Sequence, residues 1–151
     1  MPDRLPGAVL FACNYNRVRS PMAEALMRRQ FGARVYVASC GVLRDPDDTP
    51  DPFAAAVMAE IGLDLAAHQP QTFDELDDDA FDLVVSLTPE AQHRAVELAR
   101  RRAIDLEYWP TSDPTLAAGS REAVLDAYRA LRDALKARIR ERFGGALNPG
   151  G

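Results

Sequence analysis

The chain has 151 residues, of which 47% are hydrophobic, and this size predicts a single domain over residues 1–151 that can bury a full core. Its formal net charge of -5 argues against a nucleic-acid partner, because affinity for a phosphate backbone requires clustered Lys and Arg. The two cysteines, Cys13 and Cys40, are too few for a disulfide framework or a CxxC metal cluster, so they fit a reducing compartment.

The N-terminal apolar run does not predict a membrane span or a signal peptide. The apolar run at residues 8–13 is far shorter than the roughly 20 residues that cross a bilayer, and it lacks a signal-peptide cleavage pattern. We therefore expect a cytoplasmic protein with no membrane partner. The glycine-rich segment 144–151 is expected to form a flexible tail.

Apolar runs in chain order predict the strands of a sheet, at residues 8–12, 35–38, 83–86 and, more weakly, 104–109. The first run has the length and the flanks of a strand that is buried on both faces, as strands of parallel sheets are. Helical patterns separate the runs. The alternation predicts an α/β fold with a doubly wound parallel sheet and helices on both faces.

Start signals and apolar spacing predict the helices. Ser20 and Thr88, each followed by proline, are predicted N-caps, and Thr72 with Glu75 matches a capping box. Apolar residues at helical spacing predict two helices that face the core. They are Phe53, Val57, Met58 and Ile61 in one helix, and Val124, Tyr128, Leu131, Leu135, Ile139 and Phe143 in the other.

An acidic, proline-rich segment follows the second predicted strand, at residues 45–52. Open α/β sheets bind their ligands at the carboxyl ends of the strands. The segment is therefore interpreted either as a wall of the active site or as a solvated loop.

The connection from Cys13 to Ser20 is the strongest functional signal, because it joins a strand directly to a helix. Such a tight loop points backbone N–H groups inward, and with the positive end of the helix dipole they favour an anion and an ionised thiol. We predict that Cys13 is a nucleophile and that the loop binds phosphate or a similar oxyanion. The predicted binding residues are Asn14, Tyr15, Asn16, Arg17 and Val18.

Individual side chains have predicted roles in this site. Arg19 can hold two phosphate oxygens through its planar fork, and Ser20 can donate a hydrogen bond to the thiolate. Asn16 tolerates the left-handed backbone that a sharply curved loop demands. Asp113, which Pro114 keeps in a loop conformation, returns to the same sheet edge after the fourth strand and is the predicted proton donor.

The sequence resembles the low-molecular-weight protein tyrosine phosphatase family, whose members begin with a strand and then C-x5-R-S-P-M-A-E. The resemblance covers nearly the whole chain. It implies a four-stranded parallel sheet in the order 2-1-3-4, a cysteinyl-phosphate intermediate, Asp113 as the acid that later activates water, and neither metal nor cofactor. It also implies that the substrate is a phosphorylated protein, containing phosphotyrosine, or a small phosphate ester. The matching residues are Cys13, Arg19, Ser20, Pro21, Met22, Ala23 and Glu24.

The loop departs from the family pattern at several positions. Tyr15 stands where glycine is usual, Arg17 where a small or aliphatic residue is common, and Val18 where many members have a second, protective cysteine. Two interpretations of Cys40 stay open: a disulfide with Cys13 from the neighbouring strand end, or an inert buried thiol.

Substrate recognition is also expected to differ. Thr115 and Leu116 occupy the positions where tyrosine phosphatases of the family usually have an aromatic pair. Tyr15 or Trp109 is expected to supply an aromatic surface instead.

Charged residues of both signs are expected near the entrance of the predicted phosphate site. Arg17 and Arg44 add positive charge there, whereas the acidic residues between 45 and 51 would oppose acidic peptides. His68 is expected to hydrogen-bond within the core and His93 to lie on an exposed helix face, and neither has the spacing of a metal site.

Two other functions are compatible with the same residues. Arsenate mimics phosphate, and the same loop serves reductases of this fold, but no cysteine follows Cys40, so a reductase would depend on an external thiol. The third alternative is a phosphate-binding module without turnover, in which Tyr15 blocks the attack geometry.

Overall fold

The structure is a computed structural model, and it describes residues 5–76 and 80–144. Within these residues the sheet has four parallel strands in the order β2-β1-β3-β4, which confirms the expected topology. Leu10, at the centre of the sheet, is paired with Ala38 on one side and Val84 on the other. The strands are β1 (Ala8–Cys13), β2 (Tyr36–Gly41), β3 (Leu83–Ser86) and β4 (Asp105–Tyr108).

Helices cover both faces of the sheet, and this confirms the predicted doubly wound α/β fold. The helices on one face are α1 (Arg19–Phe31), α2 (Pro52–Ala59) and α4 (Arg121–Phe143), and the helix on the other is α3 (Pro89–Ala99). Short 3-10 turns at Phe73–Glu75 and Pro114–Leu116 lie in the connections.

Strand β1 is buried along its whole length, because the two helical layers cover both of its faces. Val9, Phe11 and Cys13 belong to the core under α1, α2 and α4, whereas Leu10 and Ala12 belong to the core under α3. Burial of a side chain such as that of Phe11 stabilises the fold by about 1.5–3 kcal/mol. Cys13 therefore lies at the end of a strand that is packed on both faces.

Trp109 lies in the core, with only 3% of its surface exposed. Its ring centroid is 6.0 Å from that of Phe11 and 6.3 Å from that of Phe143, and its indole Nε1 donates to Glu107 at 3.0 Å. The expectation that Trp109 offers an aromatic surface to a substrate is therefore wrong.

Two of the predicted helix-start signals are present. The Thr88 hydroxyl accepts from the Ala91 backbone N–H at 3.1 Å and caps α3, as predicted. The Glu75 carboxylate accepts from the Thr72 backbone N–H at 3.1 Å, but only a single 3-10 turn follows this capping box.

The prediction that Ser20 caps α1 is wrong. The helix already begins at Arg19, Val18 occupies the N-cap position, and no side chain caps the helix there. The Ser20 hydroxyl is instead turned toward the sulfur of Cys13.

The predicted apolar stripe of α4 is buried from Tyr128 to Phe143, while Val124 is half-buried. Ile61 lies beyond the end of α2 but still packs against the core. In the part of the chain that the structure describes, no helix is both long and apolar enough to cross a membrane. Apart from Gly144, the predicted tail lies outside the described residues.

Candidate active site

The loop between β1 and α1 curves sharply after Cys13. Asn16 has a φ of 58°, the left-handed conformation predicted for it, and is fully buried. The loop also passes close to the end of β2, where a Cβ on Gly41 would lie 2.8 Å from both the Asn14 oxygen and the Tyr15 carbonyl carbon. Glycine at this position of β2 therefore leaves room for the loop.

The sulfur of Cys13 lies 2.9 Å from the Ser20 hydroxyl. The Asn16 amide donates to Ser20 Oγ at 2.8 Å and to Ser39 Oγ at 2.9 Å. Because Ser20 accepts from Asn16, its own proton is available for the Cys13 sulfur or for the Cys40 carbonyl oxygen, which is 3.3 Å away. Ser20 can thus donate to the sulfur when the sulfur is ionised.

Residues outside the loop hold Asn16 in place. Asn16 Oδ1 accepts from the Gln71 backbone N–H at 3.0 Å, and its carbonyl oxygen lies 3.0 Å from His68 Nε2. The Ser39 hydroxyl donates to Glu24. Sequence reasoning gave no role to Ser39, although a serine inside a buried strand signals a polar partner.

A cavity of about 210 Å³ opens above Cys13 at the carboxyl end of the sheet. It brings together seven of the nine residues predicted for the site, while Asn16 and Ser20 lie buried behind it. The lining residues are Cys13, Asn14, Tyr15, Arg17, Val18, Arg19, Asp45, Asp113 and Thr115.

Arg19 and Asp113 reach this cavity from different parts of the chain. Arg19 is the first residue of α1, and its Nη1 donates to the Thr111 carbonyl oxygen at 3.2 Å. Asp113 Oδ1 accepts from the Thr115 backbone N–H at 2.9 Å and from its hydroxyl at 2.6 Å. Asn14 is fixed in turn by Thr88, whose hydroxyl donates to Asn14 Oδ1 at 2.7 Å. The cavity therefore has a sulfur, a guanidinium and a carboxylate on its walls.

Both interpretations of the acidic segment hold in part, because Asp45 lines the cavity whereas residues 46–49 are exposed to solvent. Arg17 Nη2 donates to Asp47 at 3.1 Å, and Asp45 lines the cavity. Arg44 does not join this mouth: it pairs with Asp48 and lines a separate cavity of about 550 Å³ beside residues 66–71. The expectation of positive charge from Arg44 at the mouth is wrong.

Cys40 lies on the opposite face of the sheet from Cys13. It is paired with Ala12 and belongs to the core under α3, whereas Cys13 is paired with Gly41 and faces the other core. Burial, reinforced by the nearby Cys13 charge, raises the pKa of the Cys40 thiol well above its ordinary value. This geometry disfavours a Cys13–Cys40 disulfide and fits an inert buried thiol.

His93 lies on an exposed helix face as predicted, whereas His68 is half-buried and lines a surface cavity rather than lying within the core. His68 contacts the loop through Asn16, and His93 is exposed on α3, 3.4 Å from Glu97. Within residues 5–76 and 80–144, no group of three or more His, Cys, Asp or Glu side chains is placed to hold a metal ion.

The fold and the site together define a doubly wound α/β protein with a cysteine at the start of the loop between its first strand and first helix. Residues 8–143 match the family described as low molecular weight phosphotyrosine protein phosphatase, and the chain belongs to this family.

Similar proteins carry more than one name. The chain is 27% identical over 131 residues to the glutaredoxin arsenate reductase of Synechocystis sp., covering 87% of this chain and 92% of the relative. It is 28% identical over 141 residues to the protein-arginine-phosphatase of Bacillus subtilis, covering 88% and 92%. The solved structure of the YwlE arginine phosphatase from Geobacillus stearothermophilus has a TM-score of 0.76 at 26% identity, covering 95% and 94%.

Proposed function

We propose that this protein is a cytoplasmic phosphatase that hydrolyses phosphate monoesters, in particular phosphotyrosine in proteins. The observation that carries the proposal is the placement of Cys13, Arg19 and Asp113 around one cavity, with Ser20 2.9 Å behind the sulfur. The half-exposed ring of Tyr15 lines the same cavity and supports an aromatic leaving group.

In the first step the Cys13 sulfur attacks the phosphorus, and an S–P bond forms as the P–O bond to the leaving group breaks. Asp113 gives its proton to the departing oxygen, so the alcohol or phenol leaves neutral. Backbone N–H groups of the loop and the Arg19 fork hold the phosphoryl oxygens as charge moves onto them.

In the second step water hydrolyses the cysteinyl phosphate. Asp113, now a carboxylate, takes a proton from the water as its oxygen attacks the phosphorus. The S–P bond breaks, and the Ser20 proton stabilises the departing sulfur anion. Phosphate is released and both catalytic groups return to their starting state.

The test is hydrolysis of an aryl phosphate at mildly acidic pH. We expect Cys13→Ser to abolish turnover and Asp113→Asn to slow it while phosphate binding persists. Cys40→Ala is the matched control, because it removes the other thiol without touching the cavity. Mass spectrometry of quenched Asp113→Asn should detect a phosphoryl group on Cys13; an active Cys13→Ser variant would contradict the proposal.

Arsenate reduction is the second candidate, favoured by the names of similar proteins. The Cys13 sulfur would bond to arsenic as one As–O bond of arsenate breaks and its oxygen leaves as water. An external thiol would then attack the Cys13 sulfur, so that a mixed disulfide forms and arsenic leaves with the electron pair as arsenite. A second external thiol would then reduce the mixed disulfide. Cys40 could not serve, since it lies across the sheet.

A side-by-side assay separates the candidates. Thiol-dependent arsenate reduction without aryl phosphate hydrolysis would favour the reductase. Phosphate binding with neither activity would favour a non-catalytic module. The cavity beside Tyr15 stays open above Cys13, and this supports turnover over the module.

A further inference from the structure

Arg17 belongs to the phosphate loop, but its side chain binds the acidic segment instead. Its Nε donates to the Thr49 carbonyl oxygen at 2.7 Å and its Nη2 to Asp47 Oδ2 at 3.1 Å. Its Nη1 lies 4.0 Å from Asp45 Oδ1. We call this set of bonds the Arg17 clamp.

The clamped segment is ordered internally, so that a shift at Asp47 moves Asp45 as well. The Asp47 backbone N–H donates to Asp45 Oδ1 at 2.7 Å, and the Thr49 hydroxyl donates to Asp47 Oδ1 at 2.8 Å. The far end of the segment is fixed separately, because buried Asp51 caps α2 and accepts from the Tyr128 hydroxyl at 3.2 Å. Loss of the clamp would therefore release the wall of the cavity while α2 keeps its anchor.

We infer that the Arg17 clamp sets the substrate preference of the site. By holding Asp45 in the cavity wall, it makes the site favour phosphorylated residues with basic neighbours over those with acidic neighbours. The inference rests on the proposed phosphatase function and names the class of peptide that this function would serve.

The charges around the cavity give this preference its direction. Arg19 faces the phosphate, whose negative charge it balances. Arg17 is shared between Asp45 and Asp47, so the wall outside the phosphate position keeps an excess of negative charge. Exposed charge pairs of this kind change binding by about fivefold each at most, and salt screens them.

The experiment uses two phosphotyrosine peptides of equal length, one with Lys and one with Glu on both sides of the phosphorylated residue. We expect kcat/KM to be about tenfold higher for the basic peptide at low salt, with the ratio shrinking as salt is raised. A small aryl phosphate, which has no flanking charges, is assayed separately as the reference substrate.

Asp45→Asn and Asp47→Asn should each lower the ratio. Asp133→Asn is the matched control, since its side chain has the same 64% exposure as that of Asp47 and also pairs with an arginine, on α4. The control should keep the wild-type ratio.

Arg17→Gln separates the clamp from a simple charge effect. Removing a positive charge leaves the mouth more negative, so a pure charge effect would raise the preference for the basic peptide. The clamp predicts the opposite, because the freed segment withdraws Asp45 from the wall. Arg29→Gln, which removes another arginine bound to carbonyl oxygens, should leave the ratio unchanged.

Thermal unfolding of each variant checks that it is folded before its ratio is used. A wild-type ratio near one, or a higher ratio in Arg17→Gln, overturns the inference even if the aryl phosphate is hydrolysed. Absence of hydrolysis of both the aryl phosphate and the peptides overturns the proposed function itself.

Discussion

The inner part of the site and its outer rim are held together by different interactions. The inner part is buried and joined by hydrogen bonds of 2.8–2.9 Å between uncharged groups and the sulfur. The rim depends on the ion pairs of Arg17 with the acidic segment, which are partly exposed. The inner residues are Cys13, Asn16, Ser20 and Ser39, and the rim residues are Tyr15, Arg17, Asp45 and Thr115.

From this difference we expect the proposed chemistry of the site and its proposed selectivity to depend on different residues. Buried hydrogen bonds keep their strength in salt and are costly to break, whereas exposed ion pairs are screened and contribute little to stability. Substitutions in the rim can therefore change the preferred substrate without unfolding the protein. Substitutions in the inner part should damage both activity and stability.

The largest expected effect tests Arg19, the group proposed to bind the phosphate. Arg19→Lys keeps a positive charge but loses the planar fork, and we expect kcat/KM for an aryl phosphate to fall by about 10²–10³-fold. Steady-state kinetics measure the loss. Arg140→Lys, at an exposed position of α4, is the control and should behave as wild type. Equal activity of Arg19→Lys and wild type would remove Arg19 from the mechanism.

The next effect tests the inner hydrogen bonds. Asn16→Gly keeps the left-handed backbone accessible but loses the amide, and we expect a loss of about 1–3 kcal/mol in the free energy of unfolding. For Asn16→Ala we expect the free energy of unfolding to fall by about 1–2 kcal/mol more, because a Cβ also disfavours the positive φ. Urea titration measures both. Equal losses would show that the backbone conformation costs alanine nothing.

A smaller effect tests the rim. Tyr15→Ala should lower kcat/KM for an aryl phosphate by about threefold relative to an alkyl phosphate, since only the aryl group contacts the ring. Tyr36→Ala removes a tyrosine with 53% exposure at the amino end of β2, whereas the cavity lies at the carboxyl ends of the strands. This variant should leave the ratio unchanged. A loss that is equal for both substrates would point to a general effect of Tyr15 on the loop.

The smallest effect is expected in the exposed ion network around Glu60, which can be compared with the exposed ion pairs of the rim. Hydrogen bonds from Arg129 and Arg132 lower the pKa of Glu60 from 4.5 to about 2. A depressed carboxyl pKa stabilises the folded state above pH 4.5 and loses that contribution as the pH falls toward 2. Glu60→Gln should therefore be slightly less stable than wild type near neutrality, and the urea midpoints should converge in acid. A gap that is independent of pH would contradict this account.

Residues that are close in the sequence could be placed without the structure. Cys13, Asn16 and Arg19 belong to one strand-to-helix connection, so the backbone itself determines that they share one site. The position of Asp113 could also be predicted, because parallel strands bring their carboxyl ends to one edge of the sheet. The strand order was implied by the family resemblance.

The tertiary structure alone decided where side chains from different elements meet. Trp109, the residue after β4, packs inward against Phe11. Cys40 faces away from Cys13 because the register of the two strands pairs it with Ala12, on the opposite face of the sheet. Ser20 does not cap α1, because the helix already begins at Arg19, and its hydroxyl lies 2.9 Å from the Cys13 sulfur instead.

The sequence alone predicted an anion-binding loop from the residues between Cys13 and Ser20, since such a loop depends only on local backbone and a few side chains. The pairing of Arg17 with Asp47 rather than with the phosphate, and of Arg44 with Asp48, depends on how two loops approach each other. Such contacts are set by long-range packing, which no short pattern in the sequence records.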